Sequence, residues 1–433
     1  MNYEQCFAYL EWIQKLGIRF GLDNVRTVLN SLGNPHHSFP SILVAGSNGK
    51  GSVCAMISNV LRIHGFKTGL YTSPHLEEIR ERFQINGELI SVDNFCGSLT
   101  KVKINIDKLI VSGELESPLT YFELLTCLAF LYFKEEKVEM AVLEVGMGGR
   151  FDATNVVTPV VSVITTISRE HQKFLGRDIK QIALEKAGII KYGVPVICGA
   201  KKKEARDVIK RKAEELKAPF YDVFDRNVCL KEKKKGKSFS FIYKSFSEKY
   251  YFTPSLLGKH QGENACVAIC LSEQLGKRWK SLEKKKVIQG IETTSWEGRL
   301  EFVSENPLIL IDGAHNEEGA KALKEYIEDF GLSGVILLFA IMKDKNIQEI
   351  ADILFPGAEK IVLTKFQYYK TATPEYIKSK ALKYKKKMIL EPDVKKAVKI
   401  AIQKAGEQRC VVVAGSLFLA GEVKRYFQKK IDH

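Results

Sequence analysis

A chain of 433 residues has room for two or three domains, and 45% hydrophobic residues let it bury real cores, which excludes wholesale disorder. Its 66 Lys and Arg against 51 Asp and Glu leave a formal charge of +15, which favours anionic partners (nucleic acid, phosphates or polycarboxylates) without choosing among them. No apolar run reaches the ~18–20 residues of a membrane span, and nine scattered Cys without a CxxC argue against a disulfide framework or structural zinc, so a reducing cytoplasm is the expected setting.

The opening MNYEQCFAYLEWIQKLGI carries acids and lacks a basic-then-apolar leader, so export is not expected. Apolar strands then alternate with amphipathic helices, the pattern of an α/β fold with a largely parallel sheet. SILVAG (41–46) reads as a strand, 52–64 as a helix ended by Gly65, and KTGLYTS (67–73) as the next strand. RFQINGELI (82–90) reads as a hairpin around Asn86-Gly87. Residues 118–137 carry a long apolar helix, and MAVLEVG (140–146) and VVSVITTI (160–167) are buried strands. A helix over 178–190 precedes the strand VPVICG (194–199). Residues 226–253 read as antiparallel strands with a Lys-rich turn, and 256–276 as another helix. After IETTSWEG (291–298) a second α/β series begins: LILIDGAHN, VILLFA, KIVLTKF and CVVVAGS, with helices between. The expected boundary lies near Thr294, giving domains of residues 1–294 and 295–433. The Lys runs at 201–203, 231–237, 284–286 and 385–387 read as solvated faces.

ILVAGSNGKGSVCAMISNVL (42–61) carries the strongest chemical signal. A buried strand enters a Gly-rich turn and a helix follows at once, so backbone N–H groups and the helix dipole face a bound anion. Lys50 can reach outer phosphates, and Ser52 can offer its hydroxyl to phosphate or Mg²⁺. The strict GxxxxGK[ST] pattern fails at Val44 and Gly51, leaving GxxGKGS. Glu144 ends the run MAVLE, at the carboxyl end of a strand, where ligands bind in parallel sheets. Arg299, just past the boundary, is placed to clamp phosphates in two-pronged fashion. His171, Lys186 and Asn264 by themselves read equally as a loop histidine, an exposed lysine and a helix-cap residue.

The loop GSNGKGS resembles the GTNGKGS loop of the folylpolyglutamate and dihydrofolate synthases, Mur-ligase-like ATP-dependent amide ligases. TSPHL (72–76), ERFQINGELIS (81–91), TYFE (120–123), EVGMGGRFDATN (144–155), EKAGIIK (185–191), HQGENA (260–265), WEGRLE (296–301), DGAHN (312–316) and GSLFLAGEV (415–423) resemble family segments in family order, from about residue 17 to 423. The resemblance implies a P-loop-containing, Mur-ligase-like ATPase domain with a mostly parallel sheet plus a smaller C-terminal Rossmann-like α/β domain. It implies a ligase that uses ATP to add L-glutamate to a tetrahydrofolate tail through an acyl phosphate, and leaves open whether dihydropteroate is also an acceptor.

The site it implies is specific. Asn48, Gly49, Lys50, Gly51, Ser52, Asn264, Arg299 and Asp312 would hold ATP. Ser73, Glu144 and His171 would ligate Mg²⁺, with two ions expected, and Lys186 would carry a CO₂-derived carbamate. His315 and Ser416 would lie by the incoming glutamate, and Thr120, Tyr121, Phe122 and Glu123, with FGLDNV (20–25), by the pteroate. Lys50, Lys186, Arg299 and His315 would be catalytic. Glu170 stands where the family usually has Asp, so no role is carried to it. The expected partners are small molecules (a reduced folate or dihydropteroate, L-glutamate and ATP), with no nucleic acid or membrane, and the expected state is a monomer. The rivals are a cell-wall precursor ligase, against which TSPHL and TYFE argue, a nucleic-acid-stimulated P-loop ATPase, and a non-catalytic nucleotide-binding module.

Overall fold

In the computed structural model, which describes residues 1–17, 19, 21–225, 229–279 and 282–431, the apolar runs assemble into three sheets. The first has eight strands: β1 (Ser41–Ala45), β2 (Thr68–Tyr71), β3 (Phe83–Ile85), β4 (Glu88–Leu89), β5 (Met140–Glu144), β6 (Val161–Ile164), β7 (Val196–Cys198) and β8 (Phe220–Asp222). Their order is β4-β3-β2-β5-β1-β6-β7-β8, parallel except at β3, which runs antiparallel to both β2 and β4. Asn86 and Gly87 at the tip of the β3–β4 hairpin both have positive φ (54° and 88°), the twist a two-residue turn needs, as expected. Every residue of β1 is buried, because helices cover both faces of a parallel sheet.

The helices of this half are α1 (Tyr3–Gln14), α2 (Asp23–Ser31), α3 (Lys50–Ile63), α4 (Val92–Val111), α5 (Tyr121–Glu135), α6 (Gln172–Leu175), α7 (Ile179–Ala187), α8 (Lys203–Glu215), α9 (Lys259–Gly276) and α10 (Lys284–Glu292). One core packs α1, α2, α4, α5, α7 and α8 on one sheet face, and another packs α3, α9 and α10 on the other. A three-stranded antiparallel sheet joins the second core: β9 (Cys229–Lys235), β10 (Ser238–Lys244) and β11 (Lys249–Phe252). Residues 226–228 of the expected antiparallel stretch lie outside the described residues.

The third sheet has the order β12-β13-β17-β14-β15-β16, with β12 (Glu301–Glu305), β13 (Leu308–Ile311), β14 (Val335–Phe339), β15 (Ala358–Leu363), β16 (Met388–Leu390) and β17 (Val411–Ala414). Only β12 runs antiparallel. Helices α11 (Glu317–Asp329), α12 (Ile347–Leu354), α13 (Pro374–Lys380), α14 (Val394–Ala405) and α15 (Leu417–Ile431) flank it, with a core on each face. The chain is thus α/β with two mainly parallel sheets.

The structure departs from the sequence reading in places. Helices α1, α2, α4, α6, α8, α10 and α15 and strands β8 and β16 were not expected. In α4, Phe95, Leu99, Val102, Ile106 and Leu109 do repeat at helical spacing and Ser91 caps its start, but many β-branched residues blur the local preference. Strand β12, also unexpected, opens the second half just past the boundary read near Thr294, and α3 begins at Lys50, two residues early, because the phosphate loop winds directly into it. Among the described residues no helix is long and apolar enough to cross a membrane, and Cys6, Cys54, Cys96, Cys127, Cys198, Cys266, Cys270 and Cys410 are buried and free.

Candidate active site

The phosphate loop is held by the strand next to it. Ser47 N donates to Thr166 O (2.8 Å), Asn48 N to Thr166 Oγ1 (3.0 Å), and Thr165 Oγ1 to Asn48 O (2.7 Å). Gly46 has φ +148° and a Cβ there would sit 1.8 Å from Thr165 Oγ1; at Gly49 (φ +84°) it would sit 2.2 Å from Asn264 Oδ1. Both positions therefore need glycine. Lys50 Nζ donates to Gly46 O (2.8 Å) and Ser47 O (3.2 Å), so its charge lies in the bowl of the loop. Gln261 ties the loop to α9: its Nε2 donates to Ser52 Oγ (3.3 Å), and its Oε1 accepts from Asn264 Nδ2 (2.9 Å).

Register brings the first carboxylate alongside. Val44 of β1 pairs with Glu144 of β5, so the strand end that launches the loop lies beside the strand end that carries Glu144. Glu144 is buried and accepts from Ser73 N (3.0 Å). Burial raises its pKa, while Lys50, the Ser73 N–H, Arg299 and Arg82 pull it back. A cleft of about 890 Å³ opens here, lined by Gly51, Ser73, Glu144 and Tyr121 from the first half and by Trp296 and Arg299 from the second.

Among the described residues no three His, Cys, Asp or Glu side chains converge as a metal cluster. That still fits Mg²⁺, which keeps several waters and takes one or two protein carboxylates plus phosphate oxygens. Glu144, desolvated beside the Ser52 and Ser73 segments, is such a donor. His171 has its pKa pushed down to about 4, by burial first and then by Lys345, so its imidazole is neutral with a lone pair available.

Lys186 is not an exposed lysine. It is 2% exposed and donates to Gly46 O (2.8 Å) and to Glu170 Oε1 (2.8 Å) beneath the loop. Burial alone would raise the pKa of Glu170, but Lys186, Lys50 and His171 hold it well below the usual carboxylate range. Burial also lowers Lys186, against the pull of Glu170. A carbamate at Nζ would face the Glu170 carboxylate, an arrangement that needs a cation between the two.

On the second half, Asp312 follows β13 and holds two backbone amides, Leu300 N (2.9 Å) and Ala314 N (2.8 Å). Arg299 lies against Gly313, where a Cβ would meet Nη1 at 2.5 Å. His315 Nδ1 is 2.8 Å from Gly313 O, which can only accept, so Nδ1 carries the hydrogen and Nε2 is the free acceptor. Burial, followed by Lys345, pushes His315 down to about 3, so it is neutral. Ser416 is buried, and its Oγ accepts from Phe418 N (3.2 Å) at the start of α15.

The TYFE residues divide their work. Thr120 and Glu123 bond to each other as a capping box at the start of α5, with Glu123 Oε2 accepting from Thr120 N (2.7 Å) and Oγ1 (2.8 Å). Phe122 packs under Gly146 and 6.0 Å from Tyr71. Tyr121 lines the cleft, with the Arg82 guanidinium 5.5 Å from its ring. Of FGLDNV, Phe20 lies outside the described residues, and Asp23 opens α2 with an exposed side chain.

The fold thus brings Lys50, Ser52, Lys186 and Asn264 to the phosphate loop, and Ser73, Glu144, Tyr121 and Arg299 to the adjoining cleft. The sequence reading missed Gln261, Trp296, Arg82 and Lys345. Gln261 lies three residues before Asn264, on the same helix face, and that spacing was its signal. Arg82 and Trp296 sat inside segments noted for other residues. Lys345 lies in a loop that carried no local signal.

Comparison with known proteins gives the following. The Mur ligase middle domain model matches residues 44–272, and the Mur ligase, glutamate ligase domain model matches 298–417. The dihydrofolate synthase/folylpolyglutamate synthase of Bacillus subtilis is 34% identical over 428 residues, covering 98% of both chains. The folylpolyglutamate synthase of Lacticaseibacillus casei is 32% identical, with the same coverage. Among solved structures, Mycobacterium tuberculosis folylpolyglutamate synthase complexed with ADP and AMPPCP superposes with a TM-score of 0.91 at 27% identity, covering 98% of this chain and 99% of that one. E. coli FolC in complex with DHPP and ADP gives 0.86 at 25% identity, covering 98% of each.

Proposed function

The chain belongs to the Mur ligase family, and on that premise we propose that it is an ATP-dependent ligase that joins L-glutamate by an amide bond to a folate carboxylate. The observation that carries this reading is the single cleft in which a phosphate loop, a buried carboxylate, a guanidinium and an aromatic wall meet. The relatives named above are dihydrofolate or folylpolyglutamate synthases by name, and two of the structures were solved with adenine nucleotides. We assign residues 1–294 to ATP and folate and 295–433 to glutamate. The enzyme acts as a monomer on small molecules, in the cytoplasm, without nucleic acid.

In the proposed reaction the folate carboxylate oxygen attacks the γ-phosphorus of ATP. The bond to the β-phosphate oxygen breaks, ADP leaves and an acyl phosphate forms. The glutamate amine then attacks the acyl carbon, phosphate departs with the C–O electron pair, and the amine gives up a proton. The loop N–H groups of residues 49–52 and Lys50 hold the triphosphate, the Asn48 N–H being taken by Thr166 Oγ1, and Arg299 neutralises charge on the transferring group. Asn264 and Asp312 border the nucleotide, Asp312 mainly by fixing the Arg299–Leu300 turn. Ser52, Ser73, Glu144 and His171 would hold Mg²⁺, one or two ions, which would supply charge neutralisation between the phosphates. Tyr121, set by Thr120, Phe122 and Glu123, offers a flat wall to the pteridine. Neutral His315, through Nε2, and Ser416 orient the incoming glutamate. With its pKa pushed so low, His315 serves better as an acceptor that aims the amine than as its base. Lys345, also facing this side, is suited to a glutamate carboxylate. A carbamate on Lys186 enters this reading only with a cation shared with Glu170.

The test is purified protein with ATP, Mg²⁺ and radiolabelled L-glutamate, offered dihydropteroate or tetrahydrofolate separately. ATP-dependent incorporation into at least one acceptor is expected, and none with either would remove the reading. An arm in CO₂-free buffer addresses Lys186: a rate indifferent to bicarbonate removes the carbamate.

A further inference from the structure

The side chain of Asn48, expected from the sequence to bind ATP, is committed elsewhere. Its Oδ1 accepts from Asn316 Nδ2 (2.8 Å), and its Nδ2 donates to Glu318 Oε2 (3.2 Å) and, more weakly, to Ser168 Oγ (3.5 Å). Asn316 and Glu318 lie 268 and 270 positions away, at the cap and in the first turn of α11 on the second half of the molecule. Glu318 is gripped twice, since its Oε1 pairs with Lys202 (3.1 Å), also on the first half. The backbone of Asn48 is pinned by Thr165 and Thr166, and the next peptide turns at Gly49 into Lys50. Any movement of α11 therefore pulls on the loop residue that sets the path from Gly46 to Lys50.

We propose that Asn316 and Glu318 are positioning residues for ATP, forming with Asn48 a clasp through which the C-terminal half holds the phosphate loop in its binding posture. The inference rests on the ATP-binding reading given above and adds to it the means by which the two halves act together. Asn316 and Glu318 act through Asn48, and neither is assigned a contact with substrate. The clasp is polar and directional: Asn316 gives a hydrogen to Asn48 and Glu318 takes one from it, the second bond charge-assisted. Direction is what makes it testable, because the polarity of all three groups can be reversed together.

Asn316→Asp keeps the oxygen that caps α11 by accepting from Gly319 N (2.9 Å), yet turns the donor toward Asn48 into an acceptor. To satisfy the carboxylate so introduced, the Asn48 amide must flip, which sets its oxygen against Glu318. Glu318→Gln alone still accepts from Asn48 Nδ2, and in the double variant its amide donates to the flipped Asn48. Glu317→Gln removes the same charge one residue away, where the partner is Lys321 rather than Asn48.

The experiment is titration of each full-length variant with a fluorescent ATP analogue (mant-ATP) and Mg²⁺, with the ATP KM read in the glutamate assay and folding checked by thermal melting. Asn316→Asp is expected to weaken mant-ATP binding and raise the ATP KM about tenfold or more, the scale of one reversed charge-assisted hydrogen bond, with the glutamate KM within about twofold. Glu318→Gln alone, which keeps the acceptor for Asn48 Nδ2 but gives up its charge, is expected to weaken binding by less than Asn316→Asp does. Asn316→Asp/Glu318→Gln regains most of the loss, and Asn316→Asp/Glu317→Gln does not. Unchanged nucleotide affinity in Asn316→Asp, or equal rescue by Glu317→Gln, overturns the clasp. Wild type that binds mant-ATP but transfers no glutamate overturns the proposed reaction instead, and the variant series still reads the clasp.

Discussion

Lys50 shows how much of a residue's role is local. A lysine that follows Gly46-Ser47-Asn48-Gly49 and opens a helix must return toward the loop's carbonyls, and it does, at 2.8 and 3.2 Å. Lys50→Ala removes a charge that sits where phosphates would bind and little that supports the fold, because its bonds are to its own loop. It is expected to lower kcat by about 10²–10³, the usual cost of losing one preorganised charge donor, with the melting temperature close to wild type. Steady-state kinetics beside a melting curve check it, and undiminished turnover would mean the loop has been misread. Lys186 is the opposite case. Nothing in ALEKAGII distinguishes a buried ion pair from a solvated lysine, since Glu170 and the Gly46 carbonyl are supplied by other segments.

Among the elements, α5 has the plainest beginning in the sequence. T-x-x-E before an apolar run is a capping signal, and Thr120 and Glu123 form that box while buried. Thr120→Ala is expected to cost about 1–2 kcal/mol of stability, read as a lower denaturant midpoint with an unchanged slope, whereas Thr120→Ser stays near wild type. Tyr121 is the first helical residue after the cap, so the Ala variant should also raise the KM for the folate. A folate KM that does not follow the lost cap would separate Tyr121 from the pteridine wall. TYFE thus carried two messages in four letters, a helix start and an aromatic wall, and only the structure tells which residue serves which.

The whole molecule adds a pH dependence that no single segment announces. His36 and His260 are both pushed down to about 4, His36 by burial and then by His37, His260 by burial and then by Arg299. A histidine whose folded pKa lies below its unfolded value gives stability that is present above the unfolded pKa, near 6.5, and lost as pH falls toward 4. The unfolded chain takes up protons that the fold refuses, at about 1.4 kcal/mol per pH unit for each full proton. The protein is therefore expected to melt at a lower temperature at pH of about 5.5 than at about 7.5, on either side of the unfolded value. His36, whose buried Nδ1 has no hydrogen-bond partner among the described residues, lies with its ring 5.9 Å from that of Phe130 and tilted 37° to it. His36→Phe is expected to shrink the difference between the two melting temperatures, and an equal difference in both proteins would exclude His36 as a source.

By itself the sequence determined what backbone chemistry fixes within a few residues: the strand, Gly turn and helix of the phosphate loop, the Asn86-Gly87 hairpin, the carboxylate at the end of β5 and the alternation that makes an α/β fold. Steric limits on φ and the periodicity of burial are short-range, so local letters encode them. Helices α1, α2 and α4 were faint because packing, more than local preference, stabilises them. Tertiary structure alone decided the partners: Gln261 on Ser52, Lys186 on Glu170, and Asn316 and Glu318 on Asn48. Such pairings join segments up to 270 positions apart, and their geometry follows from how sheets and helices close on one another.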